Sequence, residues 1–354
     1  MQTRRLLYSH PWRLLIILLL FTCLPLFLTG CGSGNKAAVD KVKMKNTKIT
    51  LADGNWATIL MHDRLAGYII KNGYGYPVEY LSGEELPLMR ALAGNDIQIM
   101  MEIWGDDFPV EWKTMQTRLK VKNMGANHTG AVQGWFVPTY MIAGDVERGI
   151  EPVSPALKYV SDLPRFADFF AKNPSSQKSL IYNAPSTWVA AGINQTKLKS
   201  YNLNHSFVLT DTKSESALVK SLNRYYQKGT PWLGFARDPG PITANHKMTM
   251  LREPAYDDQT WKNSRGCSYP TTDVLIAANR SLEKTAPELL DFLDKYETTY
   301  DQNIQMLQYL DKYKGDADKA AIAYMKDKPD IWKAWVPDNV AKYVDTALAA
   351  EVLE

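Results

Sequence analysis

Cysteine is scarce in this sequence. There are three, too few for the disulfide framework of a small stapled fold. Cys23 lies in an N-terminal apolar run and Cys31 directly behind it, so Cys267 has no partner and is expected to be a buried, inert thiol. Histidine is nearly as sparse: His62, His128, His205 and His246 lack the spacing of a zinc site. The chain has no Gly-x-Ser-x-Gly elbow, no phosphate-binding glycine loop and no HExxH pair. These absences argue against metalloenzymes and nucleotide-dependent enzymes, and no cofactor or metal is expected. A secreted hydrolase on a comparable fold stays as a minor alternative. Internal repeats and heptads are missing as well.

Only one long apolar run exists, "LLIILLLFTCLPLFL", fifteen residues preceded by Arg4, Arg5 and Arg13. A membrane span needs about 20 such residues, so the run reads as the hydrophobic core of an export signal covering residues 1–30. Leu28-Thr29-Gly30-Cys31 looks like a bacterial lipobox, with Cys31 as the lipid attachment site and "GSGNKAAVDK" opening a flexible tether over 31–46. Net charge excludes another class. The signal removes three arginines and no acid, which takes 41 basic residues to 38 against 38 acidic ones. A neutral mature chain gives no reason to expect a nucleic-acid partner.

What the chain has in excess is aromatic surface, ten tryptophans and nineteen tyrosines. A mature length of 354 less 30, or 324 residues, suggests two lobes. The elements alternate: strand "TKITLAD", helix "NWATILMHDRLAGYIIKNG", strand "YPVEYL", helix "GEELPLMRALAGN", strand "DIQIMMEIW". That order predicts a parallel, doubly wound sheet. In "DIQIMMEIW" a period of two puts Trp104 on the face of Glu102, at the strand's carboxyl end. Ligands of such sheets sit beyond those ends, where Trp56 also falls. "GAVQGWFVPTYM" predicts a further strand. Residues 141–245 again mix strands and helices, Trp188 opening one helix. After the strand "TDVLIAANRSL" the chain reads as helical. The predicted fold class is α/β, two lobes with the ligand between them: 47–140 plus 246–354, and 141–245.

In this order, several stretches resemble the extracytoplasmic solute-binding proteins of ABC importers, specifically the glycine betaine, proline betaine and choline group. They are "GNWATI", "YGYPVEY", "RALAGNDIQIMMEIW", "GAVQGWFVPTYM" and "NAPSTWVAAGINQTKLKSYNL", and the likeness spans about residues 47 to 350. It implies a type II-like periplasmic-binding-protein fold, no enzymatic activity, a monomer, and a permease with its ATPase as partners. The ligand it implies is a quaternary-ammonium zwitterion such as glycine betaine, proline betaine or carnitine. Such a cation has no N–H to donate, and tryptophan faces can hold it at about 2 kcal/mol each when desolvated. Trp56, Trp104 and Trp188 are the expected walls. Asn55, Val189 and Ala190, at the two helix starts, are expected beside the ligand's carboxylate. Each tryptophan could instead plug a strand or staple a helix. Trp135, Trp232, Trp261, Trp332 and Trp335 are assigned to packing; Gln133 and Tyr140 are weaker candidates for the cleft. A ligand-presenting sensor lipoprotein would share the same binding residues.

One position departs from the resemblance. Where the family usually closes its aromatic box with a tryptophan, this chain reads Arg237-Asp238-Pro239. A guanidinium about 5 Å from an ammonium, at an effective dielectric near 20, repels it by roughly 3 kcal/mol. Arg237 could pair with Asp238, or clamp the ligand's carboxylate while Phe235 supplies the wall. It could equally be an outward surface residue, or the ligand could be a different, more anionic molecule. The clamp is the favoured expectation, and with it a preference for zwitterions over choline.

Overall fold

The computed structural model describes residues 42–353 apart from Leu119 and Pro174. The export signal, Cys31 and most of the tether lie outside the described residues.

Nine strands form one mixed sheet in the order β2-β1-β3-β9-β4-β7-β5-β6, with β8 on the flank of β4. β1 (Ile49–Gly54), β2 (Val78–Gly83) and β3 (Ile99–Ile103) are parallel and joined by the helices Ala57–Asn72 and Glu85–Gly94. β4 (Val121–Pro138) is an 18-residue strand that ties the two parts of the sheet together. β5 (Ser179–Pro185), β6 (Phe207–Thr212) and β7 (Gly234–Asp238) form the second part, again parallel to one another. β8 (Met248–Met250) and β9 (Thr272–Asn279) run antiparallel to β4. Between Ala131 and Val132 the strand changes partner, from β9 to β7.

Apolar packing explains the layers. On the first part, Ile49, Leu51, Ile99 and Met101 meet the helix Ala57–Asn72 and the C-terminal helices, with Trp332 and Trp335 filling that core. Its other face carries Ala52, Trp56, Met100, Ile103 and Trp104. The second part has its own core around Trp135, Phe207, Trp232 and Phe235. Cys267 is a buried free thiol.

Two of the helix starts are written plainly in the side chains. Ser214 accepts from the amide of Ala217, and Thr299 with Gln302 forms a reciprocal capping box before Tyr300–Lys312. The tryptophan helices are different. Trp56 and Trp188 occupy the N-cap positions of Ala57–Asn72 and Val189–Ser200 without any side-chain cap. An aromatic at a position that favours small polar residues leaves the first amides of the helix open to another acceptor.

Candidate functional site

The carboxyl ends of β1 and β3 meet the start of the helix Val189–Ser200 and the end of β7. Trp56 lies just after β1, and its indole folds back over Gly54. A Cβ on Gly54 would come within 2.5 Å of that ring, so glycine is needed there. The indole N–H of Trp56 donates to Glu102 Oε2 at 2.6 Å, and Trp104 Nε1 donates to the same oxygen at 3.3 Å. Thr58 Oγ1 adds a third donor at 3.0 Å. One buried carboxylate therefore orients two tryptophans. Burial pushes the Glu102 carboxyl up, and the Trp56, Thr58 and Trp104 hydrogen bonds draw it back down. Behind it, burial pushes His62 down to about 3 and keeps it neutral. The ring bonds Tyr296 and Asn303 at 2.8 and 2.9 Å, a network consistent with the proton on Nε2.

The second side of the site comes from across the cleft. Trp188 is half-buried and meets Phe235 edge-on, ring centroids 6.4 Å apart. Phe235 also packs on Tyr269 and is fully buried. Arg237, two residues further along β7, lies on the same face. Its Cζ sits 4.0 Å from the Trp104 ring centroid and 4.1 Å from that of Trp188. Nη2 pairs with Asp107 Oδ2 at 3.0 Å, and Nε reaches Gln133 Oε1 at 3.5 Å. Asp238 is not its partner: that side chain accepts from Tyr300 at 2.9 Å. Between Trp188, Glu215, Phe235 and Arg237 only about 10 Å³ of free volume remains.

The helix starts show a related substitution. The open amide of Ala57 donates to Glu215 Oε2 at 2.6 Å, across the cleft. Asn55 is exposed and donates to Glu84 at 3.1 Å. Val189 borders a cavity of about 210 Å³ with Trp56, Glu84, Glu85, Phe108 and Trp188. Ala190 is buried, and its carbonyl accepts from Tyr269 at 3.4 Å. A larger cavity of about 700 Å³ opens on the other side of Trp56 and Glu215, reaching Ser82, Lys220 and Asp311. Tyr140 lies elsewhere, bonded to Thr230. Among the described residues no cluster of three or more His, Cys, Asp or Glu side chains is arranged to hold a metal ion.

Sequence reasoning did not find Glu102, Asp107 or Glu215 as parts of this site. For Asp107 the visible signal was the pair of acids after Trp104 in "WGDDF", and for Glu102 the strand face it shares with Trp104. Glu215 looks like an ordinary first-turn acid, and nothing in the sequence gives its contact 158 residues away.

Residues 47–327 match the protein family described as the substrate binding domain of ABC-type glycine betaine transport system, OpuAC. The chain belongs to this family. Solved structures agree on the fold. A glycine betaine and L-proline binding protein, ProX, from Borrelia burgdorferi superposes with a TM-score of 0.64 at 18% identity, over 84% of this chain and 100% of that one. A choline binding protein in complex with choline gives 0.63 at 18%, over 85% and 98%. A lactococcal OpuAC in its closed form with glycine betaine gives 0.61 at 18%, over 82% and 100%. The protein is thus a substrate-binding protein of the ABC-type glycine betaine transport family, a transport class rather than an enzyme class. Binding proteins of ABC importers work outside the cytoplasm, and no helix among the described residues is long and apolar enough to cross a membrane.

Two carboxyls of this site are held above the ordinary carboxylate range. Desolvation first of all lifts Glu85 to about 8 and Glu215 to about 7, against an ordinary 4.5. Glu85 faces Asp107, Arg237, Glu102 and the Trp104 amide; Glu215 faces the Ala57 amide, Arg237 and Glu102. Opening the cleft would rehydrate both and return them toward 4.5. A pKa raised in the closed form favours closure fully below 4.5, and that preference is lost as pH rises through 7 and 8. The scattering radius of the ligand-free protein should therefore increase between pH 5 and pH 8.5. A radius constant over that range would contradict this.

Proposed function

We propose that this protein captures a quaternary-ammonium solute outside the cytoplasm and delivers it to a permease driven by its ATPase. The observation that carries the reading is a cation held between two tryptophan faces, with a third tryptophan tied to the same buried carboxylate. Trp56, Trp104 and Trp188 are the proposed aromatic walls, with Phe235 and Arg237 bounding them. Three faces supply roughly 6 kcal/mol, short of the ~8.2 that micromolar affinity requires. Hydrogen bonds to a ligand carboxylate, about 1.5–3 kcal/mol each, close the difference. The amides at the starts of the two tryptophan helices, near Asn55, Val189 and Ala190, are the proposed donors. A zwitterion such as glycine betaine, proline betaine or carnitine fits both halves of that requirement. The expected lobes, 47–140 with 246–354 and 141–245, are proposed to rock about β4 to admit it, with the second lobe widened to take in Trp135, Leu251 and Tyr269, which pack in its core.

Calorimetry with glycine betaine, proline betaine, carnitine and choline tests the reading. Saturable binding of at least one, with no turnover, is expected; a flat titration for all four rejects it. The protein is further proposed to be a monomer held to the membrane by a lipid on Cys31. Cys31→Ala should then release it from membranes or leave it misprocessed. Unchanged size and unchanged membrane association would remove the lipid from the account.

A further inference from the structure

The cleft already contains a cation and several carboxyl groups, all supplied by the chain. The Arg237 Cζ lies over the Trp104 ring at 4.0 Å and over the Trp188 ring at 4.1 Å, and the residue is only 6% exposed. Its Nη2 is taken by Asp107 and its Nε lies against Gln133. Glu215 meanwhile sits on the Ala57 amide, at the positive end of a 16-residue helix. On the betaine reading these two groups take the places of a zwitterion's ammonium and acid, the cation over the tryptophan rings and the carboxylate on the helix-start amide. We propose that Arg237 is a tethered occupant of the aromatic slot and a specificity-determining residue: a solute enters only by expelling the guanidinium from between Trp104 and Trp188. This inference rests on the betaine reading above.

Three features favour an occupant over a clamp. A clamp needs an open edge of the guanidinium, and Asp107 on Nη2 and Gln133 beside Nε already crowd two of its three edges. A ligand carboxylate beside Arg237 would also meet an acidic neighbourhood, since Glu85, Glu102, Asp107 and Glu215 all feel the arginine's charge. That surplus of acid calls for a cation, and the arginine is the one present. The third feature is shape. The rings stand at stacking distance from a flat group, and a tetrahedral trimethylammonium is thicker, so the rings must part to exchange one for the other. Trp104 and Trp188 come from different parts of the sheet, so exchange is coupled to movement across the cleft. Apparent affinity falls with the fraction of molecules whose slot is vacant.

The test is calorimetry of wild type and Arg237→Ala with two probes, glycine betaine and methylguanidinium. Arg237→Ala should bind glycine betaine at least tenfold tighter than wild type. It should also bind methylguanidinium, a free copy of the missing group, with a change in tryptophan fluorescence that wild type does not show. Where wild type binds glycine betaine, equal or weaker binding by the variant overturns the proposal, as does a variant that ignores methylguanidinium. If no quaternary ammonium binds either protein while methylguanidinium fills the variant alone, the slot assignment stands and the betaine reading falls. Should the single variant unfold with Asp107 unpaired, Arg237→Ala/Asp107→Asn compared with Asp107→Asn alone carries the betaine comparison: a gain below tenfold overturns the proposal.

Discussion

Lys197→Met should cost roughly 3–5 kcal/mol of stability, because it strands a buried charge. Lys197 is 1% exposed, near the end of the helix Val189–Ser200, and pairs with Glu253 and the carbonyl of Cys267. Three aromatic rings surround its ammonium: Tyr269 at 4.8 Å, Trp261 at 5.5 Å and Tyr201 at 5.6 Å. Methionine keeps most of the apolar stem and removes the ammonium with its hydrogen bonds to Glu253 and the Cys267 carbonyl. Glu253 is then left with the Tyr201 hydroxyl alone. Desolvation, the largest influence on each, pushes the Glu253 carboxyl up and the Lys197 amine down, so neither charge suits this environment without the other. Lys197→Met/Glu253→Gln should therefore recover most of the loss. Urea unfolding of the single and double variants measures both quantities. A single variant within about 1 kcal/mol of wild type would make the pair dispensable, since surface pairs fall in that range.

Trp188→Ala should weaken ligand binding by more than tenfold while changing the unfolding midpoint little, because Trp188 is half-buried and faces the cleft. Losing one desolvated aromatic face, about 2 kcal/mol, corresponds to roughly thirtyfold. Trp104→Ala is expected to behave differently. Trp104 is 1% exposed and packs within the cluster of Ile103, Trp112 and Met115. Truncating it should cost about 3–5 kcal/mol of stability in addition to affinity. Chemical denaturation alongside calorimetry separates the two effects. A Trp188→Ala protein that binds as wild type does, or a Trp104→Ala protein that unfolds as wild type does, contradicts this division of roles.

The alternation of strands and helices was legible because apolar period and turn residues agree in most segments. β3 reads as buried from "IQIMMEI" alone, and all five of its residues are buried. The first half of β4 was not legible. Its "VKNMGANHTG" is polar, holds Gly125 and Gly130 at φ of 106° and 76°, and shifts register against β9 three times. Bulges of that kind erase the period of two on which strand reading depends. Trp56, Trp104 and Trp188 were legible as strand-end or helix-start aromatics. Their tie through Glu102 was half visible, because Glu102 and Trp104 share a face in any extended strand. The pairing of Asp107 with Arg237 was hidden, since it joins residues 130 apart across two parts of the sheet. Local sequence carries no trace of a contact that only the packing of distant segments creates.

The most direct test of the account is a calorimetric titration of glycine betaine into wild type and Trp188→Ala side by side. The expected result is one saturable site in wild type and a dissociation constant more than tenfold larger in the variant. Equal binding by the two proteins would contradict the claim that tryptophan faces in this cleft hold the solute.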